Sequence, residues 1–299
     1  ALKLAAADPR VEVRVHETNR GHIDTYNEGL GWAGGAYTVV LDSDDLLTQG
    51  SLRRACDLFD AHPEVGIVYG RVRRFYDYDL PHRIRITRPT WRIWRGDEWF
   101  AGRCRMTENC VCQPSVVMRT RLLKQVGLFR HELPHTADME MWLRLSLFGD
   151  VGYIGGTHQA LYRVHSASMH RSRFGTVLAD LSQVASAFEA LFHDYRDRIA
   201  DAVQLEESNR RMLARRALDA AGRMYDQGRV DAAEVIGLIE LALKTYPDAQ
   251  SLDEWRSLNW RRKIGPGACL ALRPFLLFTA ASRSWRKVKR YRLHRQGLL

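Results

Sequence analysis

The stretch YTVVLDSDDLLTQGSL, residues 37–52, decides how the rest of the chain is read. Its apolar opening, which with Ala36 reads AYTVVL, looks like a buried strand that ends at Asp42. Asp44 and Asp45 follow at once. Three carboxylates this close repel one another, and burying any of them unpartnered is costly. Two arrangements answer that repulsion. A bound cation could hold the carboxylates together, or a solvated turn, with Asp45 capping the next helix, could leave them in water.

The segments on either side set this stretch in an alternating pattern. Upstream, the opening residues read as the end of a helix, a turn at Asp8-Pro9, then a strand through Val11, Val13 and Val15. GHIDTYNEGLGWAGG has helical spacing at Ile23, Tyr26 and Leu30. Downstream, TQGSLRRACDLFDAHP is an amphipathic helix, with Leu52, Ala55, Leu58 and Phe59 on one face, stopped at His62-Pro63. VGIVYGRVRRF is the next strand. This β-α-β-α-β order predicts an α/β domain with a mostly parallel sheet covered by helices. Further on, QPSVVMRT reads as a strand, RLLKQVGLF as a short helix, ADMEMWLRLSLFG as a strong helix and VGYIGGTHQALYRVH as closing strand.

From about residue 171 the strand signal gives way to helical spacing. Gly222, Tyr225, Gly228, Ala233, Ala242 and Pro247 fall near a tetratricopeptide consensus, but with one copy a plain helical hairpin is expected. The expected organisation is an α/β domain over 1–170, a helical accessory region over 171–255 and a basic amphipathic tail over 256–299.

Composition narrows the function classes. At 45% hydrophobic and 27% charged residues the chain is an ordinary globular one, not a disordered one. Five scattered cysteines make no disulfide framework, which points to a reducing compartment. Cys110-Val-Cys112 is too tight for a zinc knuckle and has no second pair at ligand spacing. The net charge of +10 is localised: twelve Lys/Arg and no Asp/Glu lie from Arg256 to Leu299, leaving 33 basic against 35 acidic residues before them. A near-neutral body argues against nucleic acid as the main partner. The tail sets ACLALRPFLLFTAA between basic clusters, as an interfacial segment on an anionic membrane does. No run approaches the length of a transmembrane helix, and no signal peptide is visible. The expected location is cytoplasmic, with a peripheral position at the inner face of the plasma membrane.

The order strand–LDSDD–helix, then ADMEMWLRL and YRVH, closely resembles family 2 glycosyltransferases of the GT-A fold over roughly residues 10–168. NRGHIDTYNEGLGWAGGAYTVVLDSDD matches the Asn/Gly-rich segment that precedes the family's Asp-x-Asp strand, and CQPSVVMRTRLLKQVGLF matches its acceptor-side segment. The resemblance implies an inverting transferase that moves a sugar from a nucleotide-sugar donor to a hydroxyl acceptor, a glycan or lipid-linked one. Asp42 and Asp44 would hold the nucleotide ribose and a Mn2+ or Mg2+ ion on the diphosphate. Asn27 and Gly29 match the stretch lying against the donor. Asp138 sits where the family places its catalytic base, and His165 where some members contact metal or diphosphate. On helix-start chemistry alone, Asp138 with Thr136 also reads as an N-cap. Arg144 is expected to clamp an anionic group of the donor, with a solvated or paired cation as the alternative.

Two departures stand out. The family's Glu-Asp pair is here Ala137-Asp138, with Glu140 as a possible substitute for the lost acid. The apolar first strand and its helix do not precede Ala1, so the sequence reads as lacking the N-terminal half of the nucleotide-binding unit. Those departures keep a second reading open, a degenerate relative serving as a non-catalytic binding or scaffold module. Nucleotidyl transfer on the same carboxylates is a third.

Overall fold

The computed structural model describes residues 2–76, 88–165 and 175–272. Elements follow in the order α1 (Leu2–Ala7), α2 (Gly21–Trp32), β1 (Tyr37–Thr38), β2 (Leu46–Leu47), α3 (Ser51–Ala61), β3 (Val65–Tyr76), β4 (Thr90–Trp94), α4 (Gly96–Met106), β5 (Val117–Arg119), α5 (Thr120–Val126), α6 (Ala137–Ser146) and β6 (Asp150–Val164). Four helices complete the described chain: α7 (Val177–Asp194), α8 (Ala202–Asp226), α9 (Ala232–Thr245) and α10 (Asp253–Ala271). This is an α/β fold with a helical C-terminal region, as the sequence predicts.

The sheet runs β1-β5-β3-β6-β2, with β4 also paired to β6. Its longest pairing, β3 with β6, is parallel, from Val65 beside Asp150 to Tyr76 beside Val164. The pairs β1–β5, β2–β6, β3–β5 and β4–β6 are antiparallel. The sheet is therefore mixed, and a mostly parallel one is found only at its centre. Each antiparallel pair joins strands far apart in sequence, so their directions are set by how the chain returns to the sheet and not by local hairpins.

Two expected strands are shorter than their apolar patterns suggest. AYTVVL forms ladder bonds only at Tyr37–Thr38, and Val39–Asp42 continues without strand pairing. Residues 11–16 form no strand. They lie along α2, where His16 meets Glu28 at 2.5 Å and the Arg14 guanidinium sits 3.8 Å from the Trp32 ring. Val15 is consequently 79% exposed. Alternation alone cannot make a strand; a neighbour has to offer its own backbone groups.

α3 buries Ser51, Ala55, Leu58 and Phe59, while Leu52 faces outward. α6 is buried on nearly every side, including Met141, Trp142, Leu143 and Leu145. Its far end meets Gly96, the first residue of α4, where a Cβ would stand 2.0 Å from the Ser146 carbonyl oxygen and 2.5 Å from that of Gly149. Only glycine allows that approach, which fixes α4 and the loop after it against α6. The same core takes in Val184, Phe188, Leu191 and Phe192 of α7 and Leu205 and Leu213 of α8. Burying each side chain of this size contributes about 1.5–3 kcal/mol. A second core joins the rest of α8 to α9 and α10. α10 runs through the expected boundary at residue 256 and kinks at Gly265 before Pro266. The tail after residue 272 lies outside the described residues.

Candidate active site

Asp42, Asp44 and Asp45 leave the sheet together and then diverge in their partners. Asp42 accepts a short hydrogen bond from the Tyr26 hydroxyl of α2 and a second, 3.2 Å, from Gln113 Nε2. Burial raises its pKa and nearby Asp44 adds to the rise, while the Tyr26 bond opposes both. Tyr26 is itself shifted up, chiefly by burial and then by Asp42. Asp44 turns the other way, its Oδ2 2.9 Å from His165 Nε2 just beyond β6. Both side chains are partly open to solvent.

Asp45 does not cap a helix. β2 intervenes, and α3 begins only at Ser51 after a left-handed Gly50. Instead Asp45 Oδ1 accepts from the Arg163 backbone N–H at 2.8 Å, and Oδ2 is buried with no hydrogen-bond partner among the described residues. Burial is the main reason its pKa rises to about 6. The carboxylates thus relieve part of their mutual repulsion by facing a hydroxyl, an imidazole and a backbone amide, yet Asp42 and Asp45 still feel their acidic neighbours.

Asp138 is delivered by the N-terminus of α6. Its Oδ1 accepts from the Met139 N–H at 2.6 Å, and its Oδ2 from Asn109 Nδ2 at 3.2 Å. The first contact is a helix-start bond, so part of the capping reading is real. Thr136 does not cap; its hydroxyl donates to the Gln183 carbonyl of α7 at 3.2 Å. Burial lifts the Asp138 pKa to about 6. Its two hydrogen bonds and His135 act against that rise, and Asp42 acts with it. Asp42 is near enough to raise the Asp138 pKa, so two sequence-predicted groups from distant elements come near one another. Cys112 lies in the same field, beside Asp45, Asp138 and Asp42, its thiol pushed up to about 12 mainly by burial.

Other expected residues are placed differently. Asn27 is buried, donates to the Phe129 carbonyl at 2.9 Å and accepts from the Phe129 N–H at 2.8 Å. Both ends of its amide are spent clasping the 127–129 turn, so its side chain is not presented to a donor. Gly29 lies within α2, where a Cβ would meet nothing within 4 Å. Arg144 is a structural cation: it is buried and donates to the carbonyls of Val126 and Leu128 at 2.6 and 2.7 Å and to Glu140 at 2.9 Å. A clamp on the donor would need those N–H groups free. Glu140 is fully buried between Arg130 and Arg144, which removes it as a substitute for the missing acid.

The sequence reading missed Tyr26, Asn109 and Gln113. Tyr26 counts there only as an apolar-face residue, and an uncharged amide carries no motif that marks it. Among the described residues no three His, Cys, Asp or Glu side chains converge as a metal site. The Asp44–His165 pair fits a cation that takes two protein ligands and fills its other positions from substrate phosphate and water.

A mixed sheet flanked by helices, with carboxylates gathered at its edge, is the architecture of GT-A-type glycosyltransferases. Residues 1–127 match the model for Glycosyl transferase family 2. The structure of S. aureus TarS 1-349 in complex with UDP-GlcNAc is similar with a TM-score of 0.52 and 14% identity, over 84% of this chain and 78% of that one. The same TarS 1-349 determined by itself gives 0.50 and 13%, over 84% and 77%. At these identities the likeness speaks for the fold. In sequence, 61 residues are 43% identical to the succinoglycan biosynthesis protein ExoO of Rhizobium meliloti (strain 1021), covering 20% of this chain and 18% of that protein. Another 65-residue match, 42% identical, is to the uncharacterized protein y4gI of Sinorhizobium fredii (strain NBRC 101917 / NGR234), covering 22% of this chain and 7% of that protein. This chain therefore spans a small part of those two relatives.

Proposed function

We propose that the chain is an inverting, metal-dependent glycosyltransferase that moves a sugar from a uridine-diphosphate donor to a hydroxyl of a growing or lipid-linked polysaccharide. The observation that carries this reading is that Asp42 lies near both the Asn109-held Asp138, whose pKa it raises, and Asp44, which pairs with His165. The UDP-GlcNAc bound by TarS supports the donor class, and the name of ExoO supports the acceptor class.

In this reading Asp42, oriented by Tyr26 and Gln113, accepts from the donor's ribose. Asp44 and His165 would hold Mn2+ or Mg2+, which when bound neutralises charge on the departing diphosphate. Asp138 takes the proton of the acceptor hydroxyl. That oxygen then forms a bond to the anomeric carbon from the face opposite the diphosphate. The old carbon–oxygen bond breaks, its electron pair leaves with the nucleoside diphosphate, and the configuration inverts. A base near pKa 6 serves this step better than an ordinary aspartate, because it holds the abstracted proton more firmly while still being ionised at neutral pH. The basic C-terminal sequence is proposed to hold the enzyme at the inner face of the plasma membrane. Among the described residues no helix is long and apolar enough to cross a membrane.

Calorimetric titration of UDP, GDP and dTDP, with and without manganese, tests the donor site. UDP is expected to bind with manganese, and Asp44→Ala to lose the manganese-dependent part. Equal affinity in wild type and Asp44→Ala refutes the assignment. Manganese-dependent binding with no sugar transfer to any acceptor shifts the reading to a non-catalytic relative.

A further inference from the structure

The helical C-terminal region reaches both chain segments that hold Asp138. On one side, α7 supports the residues immediately before α6. Asp180 Oδ1 lies 2.9 Å from His135 Nε2, Gln183 Oε1 accepts from the His135 N–H at 3.4 Å, and the Gln183 carbonyl accepts from the Thr136 hydroxyl. The His135 side chain is 9% exposed, while its partner Asp180 remains open to solvent. On the other side, α8 secures the end of α4. Asn209 Nδ2 donates to the Cys104 carbonyl at 2.9 Å. Arg216 Nη1 donates to the Thr107 carbonyl in a short bond and to its hydroxyl at 3.1 Å.

Thr107 is wholly buried and has a φ of 52°, a left-handed conformation that a β-branched residue adopts at a cost. Something must hold it there, and the two-point contact from Arg216 does so. Two residues later the chain presents Asn109, which bonds Asp138. Thus α7 grips the segment that leads into the base, and α8 grips the loop that supplies the base's hydrogen-bond donor.

We propose that α7 and α8 are a positioning clamp for Asp138, acting through Asp180 on His135 and through Arg216 on the Thr107–Asn109 turn. This rests on the reading of Asp138 as the base, but the clamp itself is a statement about a carboxylate in the free protein. Its electrostatic arm is specific. Asp180 holds His135 at 2.9 Å, and His135 acts to lower the Asp138 pKa. The other titratable groups facing Asp138 are Asp42, Tyr26 of α2 and Cys112 of the following loop, and none of them changes when Asp180 is altered. Asp180, His135, Asn209 and Arg216 are positioning residues in this scheme; none touches the reacting atoms.

The test is a carboxyl-carbon NMR titration of the full chain labelled at aspartate, with the Asp138 signal assigned from Asp138→Asn. In Asp180→Asn the Asp138 midpoint is expected to rise by about half a pH unit, the effect of weakening one partly screened charge. Asp180→Glu is expected to restore it. In Arg216→Lys, which keeps the charge but loses the forked contact, the midpoint should also move, because Asn109 is no longer held. The acid limb of kcat/KM for UDP-sugar turnover should shift with the NMR midpoint in each variant. Midpoints within about 0.1 unit of wild type in both Asp180→Asn and Arg216→Lys, with cooperative unfolding retained, overturn the clamp. A wild type that turns over no UDP-sugar would count against the proposed activity alone, since the titration needs no substrate.

Discussion

Asp138→Asn is expected to destroy activity and at the same time make the protein more stable at neutral pH. The raised pKa of Asp138, about 6, means that the native state binds its proton more tightly than the unfolded chain does. The stability associated with the neutral side chain is therefore fully present below the unfolded value near pH 4. It is lost as pH rises through about 6. A rise from near 4 to about 6 corresponds to about 3 kcal/mol at most. Asp138 keeps some access to water, which screens its charge, so about 1–2 kcal/mol is the working figure. Asparagine keeps one oxygen for the Met139 N–H, loses the oxygen that accepts from Asn109 Nδ2, and carries no charge to bury. Its melting temperature at pH 7.5 should rise by about 2–5 °C, with no gain at pH 4. Sugar transfer, read as nucleoside-diphosphate release, should fall by about 100- to 10,000-fold. Thermal scans at the two pH values and a coupled diphosphate assay measure both effects. A variant that melts lower than wild type at pH 7.5, or that gains equally at pH 4, refutes the claim that Asp138 is an ionised group held against its solvation.

As the proposed base, the same group is expected to set the wild-type pH profile. With its midpoint at about 6, kcat/KM is expected to fall about tenfold between pH 7.5 and pH 5, whereas an unperturbed aspartate would leave it nearly flat. A flat profile excludes Asp138 as the base. Arg144→Met is expected to destabilise the fold by about 3–5 kcal/mol, because Glu140 and two turn carbonyls lose their buried partner. Chemical denaturation measures this, and a loss below about 1 kcal/mol contradicts the structural role of Arg144.

Much of the architecture is legible in local sequence because it rests on local physics. The apolar spacing of α3 and α6, the β-rich run of β3 and the sudden change to helical periodicity near residue 171 each reflect which face of an element must leave water. Asp42, Asp44 and Asp138 could also be picked out, since charges set at the ends of apolar segments are conspicuous and their order matches a known family pattern. Strand pairing is not local. Residues 11–16 and 39–42 have strand-like patterns, but whether they join a ladder depends on a neighbouring backbone, and the sheet's directions depend on how the chain returns to it.

Side-chain duty was decided by tertiary structure for the same reason. Arg144 and Asn27 look in sequence like residues that bind a ligand, yet buried carbonyls and amides of the 126–129 turn claim their hydrogen bonds first. Tyr26, Asn109 and Gln113 carry no charge and no motif, and only the fold brings them to the carboxylates. The sequence by itself determined the elements and the acids; the tertiary structure decided which partner each acid has. Burial and hydrogen bonding then set the pKa of Asp138, and both depend on residues far apart in the chain.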